Sequence, residues 1–189
     1  MEADWELEIG GAPVIETEWP GFVDLRACPH RVDELPEPIL LPPMRDALAR
    51  LNETSSPVWT SKCDVWPVAE FDPDELDAPS AAALCAVAVY IDLLARETEQ
   101  WTTPYDARDW CQARCLYLRA VPLRCCRADF VIRHAVTHTQ ESSVGITAYL
   151  TACGATRADA DSRLGAALNA LAEAVGQAGT PVRINSKLQ

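Results

Sequence analysis

The stretch P-L-R-C-C-R-A-D-F-V-I-R-H, residues 122–134, decides how the rest of the chain is read. At a period of two it splits into two faces. Cys126, Ala128, Phe130 and Ile132 make one apolar row, and Arg127, Asp129 and Arg133 dominate the other, with Cys125 and Val131 between them. Side chains alternate across a strand, so this pattern describes a strand with one side on a core and the other side charged. Residues 57–66, P-V-W-T-S-K-C-D-V-W, read the same way. Aligning the two leading prolines places Lys62 on Arg127 and Asp64 on Asp129.

Around residues 122–134 the second half of the chain falls into order. Residues 87–93 are β-branched and bounded like a buried strand, with a helical start near Pro79 and Ser80 before them. Thr103 is a helix N-cap with Pro104 at the first helical position, and that helix should run to about Ala120, burying Cys111, Cys115 and Leu118. After the organising strand, a polar turn at 139–143 leads into an alternating strand at 144–150. Thr156 and Asp159 form a capping box with Asp in place of Glu. Leu164, Leu168, Leu171 and Val175 then stripe a helix to about Gln177. Residues 182–184 are a short edge-strand candidate after Gly179 and Pro181. The order β-α-β-β-α-β is that of the split βαβ, or ferredoxin-like, motif.

The first half is read as a partial echo. Two strand-like runs at 5–9 and 14–19, joined by Gly10-Gly11, predict a β-hairpin. Residues 22–25 resume extended structure. Prolines 29, 36, 38, 42 and 43 make an irregular connection; Pro42 and Pro43 can sit at a helix start, and Met44, Ala47, Leu48 and Leu51 then stripe a helix that ends near Asn52. Phe22–Leu25 matches Tyr90–Leu93 in pattern. Asp24 and Asp64 lie 40 residues apart, and Asp92 and Asp129 lie 37 apart. A degenerate internal duplication is therefore expected. The predicted architecture is α+β: an antiparallel sheet with helices on one face, a ferredoxin-like C-terminal half (78–189) and a partial copy in the N-terminal half (1–77), the two sharing one sheet or core.

Charge is unevenly placed. Residues 1–77 carry 18 acidic and 5 basic side chains, whereas residues 78–189 carry 10 and 11. That acidity argues against phosphate-backbone binding, which needs Lys and Arg, so no nucleic-acid partner is expected. The acids at 72, 74, 75 and 77 read as a solvated loop, the alternative being a surface for a basic partner. The beginning of the sequence lacks the positive and apolar regions of a secretory signal, and no apolar run is long enough to cross a membrane. A cytoplasmic location follows, in which the eight cysteines stay reduced and serve mostly as small buried apolar residues. No C-x-x-C pair occurs, and His30, His134 and His138 lack zinc-finger spacing. No nucleotide-binding or serine-hydrolase motif is present, and no cofactor is expected.

Parity assigns the helix-free face of the sheet. It should carry Phe22, Asp24 and Arg26; Thr60, Lys62, Asp64 and Trp66; Tyr90 and Asp92; Arg127, Asp129 and Arg133; and Thr147, Tyr149 and Thr151. Folding alone does not require charge there, and the interleaved aromatics suggest a covered surface. Three arrangements fit. The face is closed by the other half or a second subunit, with acids and bases paired. Or it lines a pocket for a small polar ligand, with Asp24, Asp64, Trp66, Tyr90, Arg133 and Tyr149 as candidate contacts. Or it is catalytic, with Asp92 or Asp129 as general acid or base and Lys62 or Arg127 stabilising negative charge. The adjacent Lys and Arg argue against a metal ion held by the four carboxylates. The leading expectation is a small-ligand-binding or assembly protein, homo-oligomeric; the alternative is a small-molecule enzyme on the same face. Closure predicts a basic partner for each Asp, and catalysis predicts at least one Asp without one.

Overall fold

The structure, a computed structural model, describes residues 1–17, 19–79, 85–97, 100–137 and 140–177. One sheet is built from β1 (Glu2–Glu8), β2 (Ile15–Glu16), β3 (Val58–Val68), β4 (Cys85–Ala95), β5 (Cys126–Thr137) and β6 (Gln140–Gly154). The strand order is β1-β5-β6-β4-β3, with β2 also beside β5. The helices are a single turn α1 (Glu37–Leu40), then α2 (Pro43–Asn52), α3 (Pro104–Ala120) and α4 (Arg157–Gly176). The protein is α+β.

The helices form for the reasons their sequences advertise. Thr103 and Asp106 make a reciprocal capping box at the start of α3, and Thr156 and Asp159 make another at α4. Helix α3 buries Ala107, Trp110, Cys111, Arg114, Cys115 and Leu118, a stripe with helical spacing. Helix α4 packs against both α2 and α3 and lies on β6 and β4. Beneath this layer sit Val87, Val89, Ile91 and Leu93 of β4, Cys126, Ala128, Phe130 and Ile132 of β5, and Ile146, Ala148, Leu150 and Ala152 of β6. Phe130 is fully buried with its ring edge-on to Trp110 at 6.2 Å between centroids. Removing such a side chain from water contributes about 1.5–3 kcal/mol.

Several expectations are corrected. The sheet is mixed, because β1 and β2 both run parallel to β5. They do not pair as a hairpin. They lie end to end along the same edge of β5, and residues 9–14 loop out where β5 advances by only His134. Gly10-Gly11 therefore opens a detour and does not reverse the chain. Residues 22–25 form no strand: Phe22 packs against a small cluster of Ile15, Trp59, Leu94 and Ala135, so the alternation there serves packing and not a ladder. Asp24 accordingly has no sheet position matching that of Asp92.

The parity of β3 also changes midway. Thr60 pairs with Leu93 and Cys63 with Ile91, so Ser61 and Lys62 together oppose the single residue Asp92. This bulge turns Thr60 to the helix face, where Asn52 of α2 donates to its hydroxyl oxygen at 2.8 Å. Trp59 takes its place on the other face. The expected edge strand at 182–184, the helical start at Ser80, His138 and the first residue of the turn at 139–143 lie outside the described residues; β6 already begins at Gln140 within that turn.

Candidate functional site

Opposite the helices, the sheet presents side chains in transverse rows. Ladder partners place Trp66, Ala88, Thr151 and Arg127 in one row, and Asp64, Tyr90, Tyr149 and Asp129 in the next. Asp92, Thr147 and Val131 follow, with the Ser61–Lys62 bulge across from Asp92. Leu94, Gly145 and Arg133 form the next row.

Both ends of this face are covered by irregular chain. At the Leu94 end, Ile15, Trp59 and Phe22 close over the strands. Gly145 makes this possible: a Cβ there would lie 2.7 Å from Cδ1 of Ile15. Arg26 stacks on the Trp59 ring at 3.6 Å. At the other end Leu76, from the short 3₁₀ helix Asp74–Leu76, and Ala78 pack on Ala86, Cys125 and Cys153. The acidic loop at 72–77 is thus anchored by buried Leu76. Between the two covers lies a half-buried band.

Asp92 is the deepest charged group of the band, 4% exposed. Its Oδ1 accepts a 2.7 Å hydrogen bond from the Thr147 hydroxyl, and among the described residues no cation pairs with its carboxylate. Burial raises its pKa to about 6, against the opposing pull of the Thr147 hydrogen bond and of the charges on Arg133 and Lys62. Arg133 is a hub: it donates to Thr147 Oγ1 at 3.2 Å, to the Tyr149 hydroxyl at 3.0 Å and to Glu8 at 2.8 Å. Trp66, Tyr90 and Tyr149 form a row of rings, successive centroids 6.1 Å apart and tilted by about 50°. Burial, followed by the charges of Asp92 and Asp64, pushes the Tyr90 hydroxyl up to about 12.

The structure sorts the sequence-derived candidates. Asp92, Tyr90, Tyr149, Trp66, Arg133, Asp64 and Lys62 converge on the band. Asp64 is exposed, with Oδ1 accepting only from the Val65 amide at 2.7 Å. Lys62 sits on the bulge, 3.8 Å from Glu16. Asp129 faces the same side as Asp64 and shares its row, three strand spacings or about 14 Å away. Its carboxylate is gripped by Arg127, whose Nε donates to both oxygens at 2.9 and 2.8 Å. These two therefore satisfy each other. Asp24 lies off the sheet, and the Arg26 guanidinium beside it holds its carboxyl below the usual range.

Some features escaped the sequence reading. Glu8 pairs with Arg133 only because β1 runs parallel to β5, which periodicity does not encode. A cavity of about 470 Å³ opens beside the bulge, lined by Trp19, Val23, Leu35, Glu37, Cys63 and Tyr90 among others, and it touches the band at Lys62 and Tyr90. Burial raises the pKa of Glu37 and, more strongly, that of Cys63, which keeps this thiol protonated. All eight cysteines are unpaired. Among the described residues no group of three or more His, Cys, Asp or Glu side chains is placed to hold a metal ion, and no helix is long and apolar enough to cross a membrane. Compared with known proteins, the chain matches no protein-family model, no curated protein and no solved structure.

Proposed function

We propose that the protein binds a small polar ligand on the half-buried band between the two covers. The observation that carries this reading is Asp92, a buried carboxylate with one oxygen that has no hydrogen-bond partner among the described residues, on the same face as three aromatic rings and next to Tyr90. A face meant only for closure pairs its charges, as Arg127 and Asp129 do. A desolvated acid left without a cation is instead a feature of sites that receive a partner. The location proposed is cytoplasmic, supported by eight unpaired thiols. The C-terminal half is proposed to be ferredoxin-like. Its support is that β6 lies between β4 and β5, which are joined by α3, with α4 following.

The test is a fragment screen read by amide chemical shifts of the full chain. The expected outcome is that hits move residues 90–92 and 147–149 together, and that Tyr90→Ala removes the response. Hits confined to the helical layer contradict the reading. So does a dimer in light scattering whose interface, mapped by exchange protection, covers the band. A second reading, catalysis with Asp92 as acid or base and Lys62 stabilising charge, is favoured by the carboxyl's pKa of about 6. It requires turnover that Asp92→Asn abolishes while ligand affinity persists.

A further inference from the structure

Resting on that reading, we propose that the ligand is an organic cation, a protonated amine held between the aromatic row and the Asp92 carboxylate. The charges of the band argue for the sign. Its cations already face carboxylates: Arg127 meets Asp129, Arg133 meets Glu8, and Lys62 lies near Glu16. Among the described residues, the two carboxylates of the band left without a cation are Asp92 and Asp64; Asp64 stands across from Tyr90 on the adjacent strand, and Asp92 follows Tyr90 by two residues on its own. An anion would meet both unpaired, and a neutral ligand would leave both unneutralised.

The rings argue for the kind of cation. The Trp66 and Tyr90 rings are tilted by 52° and those of Tyr90 and Tyr149 by 50°, so their faces are not stacked against one another; the Arg133 guanidinium already lies over the Tyr149 ring at 5.6 Å, which leaves Trp66 and Tyr90 for a further cation. A cation over such faces gains from the ring quadrupole, more when it is desolvated. Asp92 stands one row on from Tyr90 and Tyr149 and two rows from Trp66, 4% exposed, and among the described residues one of its oxygens is left to accept from an ammonium. A charge-assisted hydrogen bond in this setting is stronger than a neutral one.

Binding is coupled to a proton. The groups around Asp92 are Thr147 and Tyr149 from β6, Arg133 from β5, Tyr90 from its own strand, and Lys62, Cys63 and Asp64 from β3. Arg133, whose pKa is raised by its bonds to Tyr149 and Glu8, stays protonated, and Tyr90 stays neutral, through the range in which Asp92 ionises. An arriving ammonium favours the carboxylate, so the proton on Asp92 is released to solvent, and affinity falls when the pH drops below the acid's own pKa.

The experiment uses three isosteric probes, benzylamine, benzyl alcohol and benzoate, titrated into the full chain while tryptophan fluorescence is followed. Expected is benzylamine binding at least ten-fold tighter than benzyl alcohol at pH 7.5, with benzoate weakest and the preference shrinking about ten-fold at pH 5. Asp92→Asn and the exposed Asp64→Asn should each bring the amine-to-alcohol ratio towards one, with circular dichroism unchanged. Asp24→Asn, outside the band, should leave it unchanged and so separate local from net charge. Equal binding of amine and alcohol at the band overturns the cation and leaves the ligand site standing. Tighter benzoate binding, or no binding by any probe at millimolar concentration, also overturns the cation proposal; the fragment screen decides separately whether the site itself survives.

Discussion

Asp92 costs the folded state stability at neutral pH. Its carboxyl rises from an ordinary value of 3.8 to about 6 on folding, chiefly through burial. Below about pH 3 it is protonated in both states and contributes almost no penalty. As pH rises from 3 to 6 the unfolded chain ionises first, so the penalty grows, and well above 6 it is complete at roughly 2–3 kcal/mol. Asparagine has the same shape and keeps an acceptor for Thr147. Asp92→Asn is therefore expected to be more stable than the natural chain at pH 7.5, by about 2 kcal/mol in urea unfolding, and nearly equal to it at about pH 3. A variant destabilised at pH 7.5 would mean that the charge is stabilised by its surroundings, and the site argument would fail. Period-two reading was enough to put Asp92 on the face away from the helices. Its depth was not legible, because depth depends on what lies over residues 90–94, and those covers come from distant parts of the chain.

At the scale of elements, the sequence was most legible where a local signal carries its own physics. Pro43, Thr103 with Pro104, and Thr156 with Asp159 mark the starts of α2, α3 and α4 as read. Strand direction has no such marker. Alternation in Trp5–Ile9 and Val14–Trp19 is the same for a hairpin and for an edge parallel to β5, and Gly10-Gly11 fits a turn and a detour equally. The bulge at Ser61 and Lys62 is equally silent, and it reversed the sides of Trp59 and Thr60. Close approaches are another feature only coordinates reveal. A Cβ on Gly154, at the end of β6, would lie 2.6 Å from Cβ of Asp159 and 2.7 Å from the Ala160 amide nitrogen, both in the first turn of α4. Backbone on one side leaves little room to yield. Gly154→Ala is expected to destabilise the protein by about 1–3 kcal/mol in thermal or urea unfolding. An unchanged midpoint would show that the strand and helix do not meet this closely.

Across the whole molecule, one sheet separates two unlike layers. Three helices seal one face with a continuous apolar core. Two irregular segments, each anchored by a few apolar side chains, cover only the ends of the other. That asymmetry leaves aromatic and charged groups half-exposed in the middle, and it is why a fold whose strands and helices are conventional still holds a desolvated acid without a counter-ion among the described residues. The most direct measurement is the titration of the Asp92 carboxyl carbon by NMR, alone and with saturating benzylamine. The expected result is a midpoint of about 6 in the free protein that falls when the amine is present. A midpoint near 4 that the amine does not move would contradict both the burial of this acid and its role as the centre of a ligand site.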